Sequence, residues 1–149
     1  MQATPQRTLY LDLENYMNNQ DANGTPFTQS VQTFYALSEA LKELQDQGGQ
    51  KKRNQFYWDR MNIVREGLAK LGIKALMPAE DCSCVLNAFH LPAGIDYKLL
   101  HDELKQNGFV IYAGQDGLTK SVFRISCMGE IGEQEMLNFV SVMGNIISK

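Results

Sequence analysis

The stretch FVIYAGQDGLTKSVFRISCMG, residues 109–129, decides the fold. Residues 109–112 and 122–125 are two runs rich in β-branched and aromatic side chains, and the segment between them carries Gly and Asp, so the sequence predicts a β-hairpin. Arg124 interrupts the second run. Successive strand side chains point to opposite faces, so its guanidinium is expected opposite Phe123 and Ile125. A guanidinium is planar, permanently charged and presents five donors in a fork that matches a carboxylate or a phosphonate. If that face lines a cleft, Arg124 is an anion clamp; if it faces water, it is a solvated strand residue, as on most half-exposed sheets.

The rest of the chain sets bounds on that choice. At 149 residues, with 44% apolar and 21% charged side chains, it has the size and balance of one soluble globular domain able to bury a core. The formal charge is −3 and Lys and Arg are scattered, so no basic stripe offers itself to nucleic acid, and no nucleic-acid partner is expected. No run approaches the ~18 apolar residues of a membrane span. The start MQATPQRT lacks the basic opening and apolar core of a signal peptide, so a cytoplasmic location with no membrane partner is expected. Cys82, Cys84 and Cys127 make an odd set with no disulfide framework, which fits a reducing compartment. With His90 and His101 they lack the paired spacing of a zinc site, and no nucleophile elbow, dinucleotide fingerprint or P-loop occurs. A metal or thiol enzyme built on Cys82, Cys84 and His90 therefore has little support in the sequence.

Taken in order, TLYLDL at 8–13 alternates as a strand does, and NNQDANGTPFT at 18–28 is dense in turn residues. Within that loop Thr25 precedes a proline, which biases it to an extended backbone and leaves its hydroxyl free to donate. Thr28 is placed to cap a helix running to about residue 47, with Val31, Phe34, Leu37, Leu41 and Leu44 at helical spacing. Gly48 and Gly49 stop it, and a second helix over about 50–71 carries Tyr57, Met61, Val64 and Leu68 on one seam. Together these two predict an antiparallel helical hairpin. Strands are expected at 74–77 and 83–91, a helix at 97–106, the hairpin next, and a closing helix at 133–147. This order predicts an α+β fold, a small and mostly antiparallel sheet covered on one face by helices.

Four segments carry a more specific signal: GTPFTQSVQTFYALSEALKEL, CVLNAFHLP, LHDELKQNGFVIYAGQ and FRISCMGEIGEQEM. In order and spacing they resemble the C-terminal part of the class V, fold type I pyridoxal-phosphate aminotransferases, from about residue 8 onward, and the aminophosphonate-using members most. The resemblance implies that residues 1–24 are a segment left from a large domain with its connecting loop, and that 25–149 form the family's small C-terminal domain. It also implies pyridoxal 5'-phosphate as cofactor of a full-length parent, whose large PLP-binding domain would be this chain's partner. The implied substrate is a small amino or keto acid or an aminophosphonate, and the implied parent is a homodimer with sites at the subunit interface. Carried across residue by residue, Arg124 falls on the strand arginine that pairs with the acidic group of the substrate. Thr25 falls on a loop threonine that donates to the cofactor phosphate, while Tyr112 and Gly114 flank the mouth of the cleft. Ala113 stands where the family has proline, and Ser126 and Cys127 stand where it has Gly and Asn, all beside Arg124. In the family the lysine that carries the cofactor, the acid partner of its pyridine nitrogen and the remaining phosphate loops lie upstream of the position of Tyr10. The resemblance therefore implies a fragment that supplies substrate-anion recognition and part of the phosphate pocket and is not catalytically complete alone. The alternative is a stand-alone interaction or regulatory module that keeps the small-domain fold.

Overall fold

In the computed structural model, which describes residues 7–148, the centre of the sheet is the strand that carries Arg124. Three strands, β1 (Leu86–His90), β2 (Tyr112–Ala113) and β3 (Val122–Ser126), lie in the order β1-β3-β2 with both pairings antiparallel. The register sets Ala88 on one side of Arg124 and Tyr112 on the other. Alternation along the strands then separates two faces. Asn87, Phe89, Phe123 and Ile125 point into the core, whereas Leu86, Tyr112 and Ser126 are exposed on the other face.

Five helices accompany the sheet among the described residues: α1 (Leu13–Asp21), α2 (Val31–Asp46), α3 (Gly49–Lys70), α4 (Tyr97–Gln106) and α5 (Glu133–Ile147). Helices α3, α4 and α5 cover its inner face, packing Met61, Val64 and Leu68, Leu100 and Leu104, and Phe139 and Met143 against Phe89 and Phe123. The result is the α+β arrangement expected, with one face of a small antiparallel sheet buried. Gly67 sets the approach of α3 to α5: a Cβ there would stand 2.5 Å from a methyl carbon of Val140. Asp96 caps α4, its carboxylate accepting from the Leu99 amide at 2.8 Å. None of the helices in the described chain is long and apolar enough to cross a membrane.

Several elements differ from the sequence reading. The strand expected at 8–13 does not form; residues 9–11 turn, and Asp12 caps α1 by accepting from the amides of Glu14 and Asn15 at 3.1 and 3.3 Å. An isolated alternating hexapeptide has no neighbour to satisfy its backbone, so a carboxylate able to cap a helix wins. Helix α2 begins at Val31 rather than after Thr28, with the Ser30 carbonyl accepting from the amides of Thr33 and Phe34. The strand expected at 74–77 is a single bridge between Ala75 and Phe89. The first arm of the hairpin is shorter than its apolar run, because the Phe109 amide is spent on the Leu104 carbonyl at 3.0 Å and the Ile111 carbonyl accepts the Tyr97 hydroxyl at 3.0 Å. The described chain divides into two compact units, one through Glu43 and one from Leu44 on. The segment 1–24 set apart by resemblance includes residues 1–6, which lie outside the described residues.

Candidate anion site on the open face of the sheet

Arg124 sits where a central strand, cross-strand neighbours of unequal size and a loop make a recess. Ala88, opposite it on β1, is small and leaves room; Tyr112, opposite on β2, is large and exposed. A cavity of about 170 Å³ opens beside it, lined with Arg124 by Ala88, Leu86 and Asn87 of β1 and by the connecting segment that carries Met77, Asp81, Cys82 and Ser83. The half-buried guanidinium is fixed by one bond, Nε donating to the Ala113 carbonyl at 2.9 Å. Among the described residues Arg124 makes no ion pair. Its two terminal nitrogens have no hydrogen-bond partner among the described residues, and a guanidinium with both free has the geometry that matches a two-oxygen acid group. Asp81 is the carboxylate in the same lining, so an anion entering there meets one acid and one guanidinium.

The other residues singled out in the sequence have separate roles. Gly114 is buried, its amide donating to the Val122 carbonyl at 2.8 Å, and a Cβ there would stand 2.5 Å from the Leu118 carbonyl oxygen. Its lack of a side chain lets the hairpin loop, which holds a 3-10 turn at Asp116–Leu118, fold back on itself. Thr25 lies in the unit through Glu43 and is exposed. Its hydroxyl is not free, as the X-Pro context suggested, but donates to the Phe27 carbonyl at 2.8 Å. The Phe27 ring in turn stacks near Tyr10 at 5.3 Å and Tyr16 at 6.0 Å, which ties down the loop. A phosphate seated at Thr25 must therefore displace the Phe27 carbonyl from that hydroxyl.

The thiols and lysines narrow the chemistry further. Cys127 is buried beside the Cys84 carbonyl, to which its Sγ donates at 3.3 Å, and burial pushes its thiol up from the ordinary value. That is the reverse of a reactive cysteine. Among the described residues no group of three or more His, Cys, Asp or Glu side chains is placed to hold a metal. Every described lysine is exposed. The Lys98 ammonium is held above its usual value by its hydrogen bond to Asp102, opposite to the depression that makes an amine nucleophilic. No described lysine is buried as covalent attachment of an aldehyde cofactor would require.

One cluster escaped the sequence reading. Arg65 of α3 reaches the segment beside the cavity, and Asn87, 2% exposed at a core-facing position of β1, binds it. The polar residue at a core-facing position of CVLNAFHLP was the available signal.

No protein-family model matches the chain. In fold it is similar to an aspartate aminotransferase of subgroup IV from Thermus thermophilus, with a TM-score of 0.76 over 97% of this chain and 40% of that one at 24% identity. It is similar also to an alanine–glyoxylate aminotransferase from Nostoc sp., with a TM-score of 0.75 over 95% of this chain and 39% of the other at 19% identity. These solved structures, similar to it in fold, are aminotransferases of the class V pyridoxal-phosphate group, and the chain fits a C-terminal part of such proteins. Within that class the sequence relatives are named 2-aminoethylphosphonate–pyruvate transaminase. The protein of that name from Cupriavidus necator is 31% identical over 144 residues, and the one from Aeromonas hydrophila 33% identical over 129. The match takes in 94% and 84% of this chain but spans only 38% and 34% of those relatives.

Proposed function

We propose that this chain is the small C-terminal domain of a pyridoxal-phosphate aminotransferase of the 2-aminoethylphosphonate–pyruvate type, with Arg124 gripping the acid end of the amino donor and of the keto acid in turn. Arg124 carries the reading: a guanidinium anchored through Nε to Ala113, free of ion pairs among the described residues, on the wall of a small cavity. Holding the acid group at two nitrogens fixes the rest of a short substrate, so that its reactive carbon stays where the parent enzyme acts on it. Thr25, in a loop pinned by Tyr10 and Tyr16, would donate to the phosphate of the cofactor after exchanging its bond to Phe27. The cofactor supplies the electron sink for transamination when bound in the parent. Residues 25–149 act as the domain and the segment before them as its link to the large domain, in a homodimeric parent. The apolar stripe of α2, with Phe34 and Leu41 exposed, is the face we assign to that large domain.

The test is to incubate the full chain with pyridoxal phosphate, reduce with borohydride, and look for modified lysine by mass. The expected result is no site-specific adduct, because all described lysines are solvated. A single lysine modified stoichiometrically would show that the chain holds the cofactor unaided and overturn the division of labour.

A further inference from the structure

The segment that lines the Arg124 cavity together with β1 is held by a second arginine, Arg65. Between the bridge at Ala75 and strand β1 the chain has one 3-10 turn, at Ala79–Asp81, and no strand of its own. Its shape is set instead by bonds converging from α3 and β1. Arg65 donates through Nη2 to the Met77 carbonyl at 3.2 Å, and through Nη1 to the Asn87 side-chain oxygen and to Cys82 Sγ at 3.6 Å. Asn87 passes the link on, its Nδ2 donating to the Ser83 carbonyl at 2.6 Å. Met77, Cys82, Ser83 and Asn87 are all in the lining of the Arg124 cavity. An amide 2% exposed among apolar side chains is costly unless both ends are satisfied, and here Arg65 satisfies one of them.

Among the described residues Arg65 spends its donors on neutral groups and makes no ion pair. Its charge, with that of Arg124, stands against the one carboxylate of the cavity lining, Asp81. Resting on the reading of Arg124 as an anion clamp, we infer that Arg65 is a positioning residue for that clamp. Through Asn87 and the 77–83 segment it holds that part of the lining in place, and so selects a short-stemmed carboxylate or phosphonate. Removing the fork leaves Asn87 half-satisfied and releases Met77 and Cys82 together, since one guanidinium holds all three.

The inference is tested on the full chain with methylphosphonate as probe, its affinity read from amide shifts of the Ala88 and Arg124 signals. In parallel, the rate of Cys82 alkylation by iodoacetamide is followed by site-resolved mass spectrometry. Arg65→Met is expected to weaken the probe about tenfold, a typical coupling within one hydrogen-bond network, and to speed Cys82 alkylation several-fold. Arg65→Lys, which keeps charge and length and covers the case in which Arg65→Met does not fold, is expected to recover part of the affinity but not the slow alkylation. Arg65 variants that fold and leave both readouts unchanged, while Arg124→Gln loses the probe, would remove the positioning role and leave the clamp standing. If Arg124→Gln binds the probe as the unaltered chain does, the clamp reading fails and this inference fails with it.

Discussion

Helices α2 and α5 are nearly equal in length, 16 and 15 residues, and each carries an apolar stripe at helical spacing. Helix α5 buries Met136, Phe139, Met143 and Ile146. Helix α2 buries nothing: Phe34 remains 58% exposed, and Val31, Leu37 and Leu41 are exposed with it. The pattern in each helix states that a face seeks cover; α5 finds it within its own unit, whereas α2 finds none within the unit through Glu43. The region from Leu44 on closes a core, whereas the helices up to Glu43 present apolar surface of the kind that marks an interaction site.

That contrast can be broken by substitution. Phe123→Ala removes a fully buried ring that packs 5.8 Å from Phe89 and is expected to cost about 3–5 kcal/mol, read by denaturant unfolding. Gly67→Ala forces a methyl group against Val140 and is expected to cost about 1–3 kcal/mol, with the loss reported by α5 amides in hydrogen exchange. Asp96→Ala strips the cap of α4 for about 1 kcal/mol. Phe34→Ala, by contrast, is expected to stay within about 0.5 kcal/mol in this chain despite deleting a ring. A cost for Phe34→Ala equal to that of Phe123→Ala would show that α2 already has its cover and end the distinction.

The parts of the fold that could be read from sequence are those whose signals are local. The helix at 97–106 emerges with the expected bounds because periodicity, the Asp96 cap and the Gly108 stop agree, and the closing helix at 133–147 does so on its apolar periodicity. The core strand from Val122 also emerges, with Arg124 on the face opposite Phe123 and Ile125, since alternation decides it. Residues 8–13 misled because TLYLDL alternates like a strand, and only Asp12 with the amides after it reveals a helix start. Phe109 and Ile111 were lost to the hairpin through bonds to Leu104 and Tyr97, one of them between side chain and backbone. For the site, strand alternation singled out Arg124 and left it open between an anion clamp and a solvated residue, and the X-Pro context singled out Thr25, whereas the roles given to both came from resemblance. The cavity itself was beyond reach, because Arg65, Asn87 and Ser83 meet only after α3 and β1 have packed. No spacing in the sequence encodes a bond across 22 residues from a polar helix position to a core-facing amide.

The central claim is that Arg124 holds an acid group through the two nitrogens that Ala113 leaves unused. Its most direct test is a titration of the full chain with 2-aminoethylphosphonate, followed by the side-chain and amide resonances of Arg124 and Ala88, and repeated with Arg124→Lys. We expect saturable shifts confined to the cavity lining, weakened about 10- to 100-fold when the fork is replaced by a point charge, the range of a charge-assisted bond of about 1.5–3 kcal/mol. Equal affinity for Arg124→Lys, or shifts that saturate elsewhere and leave Arg124 and Ala88 unmoved, would contradict the account.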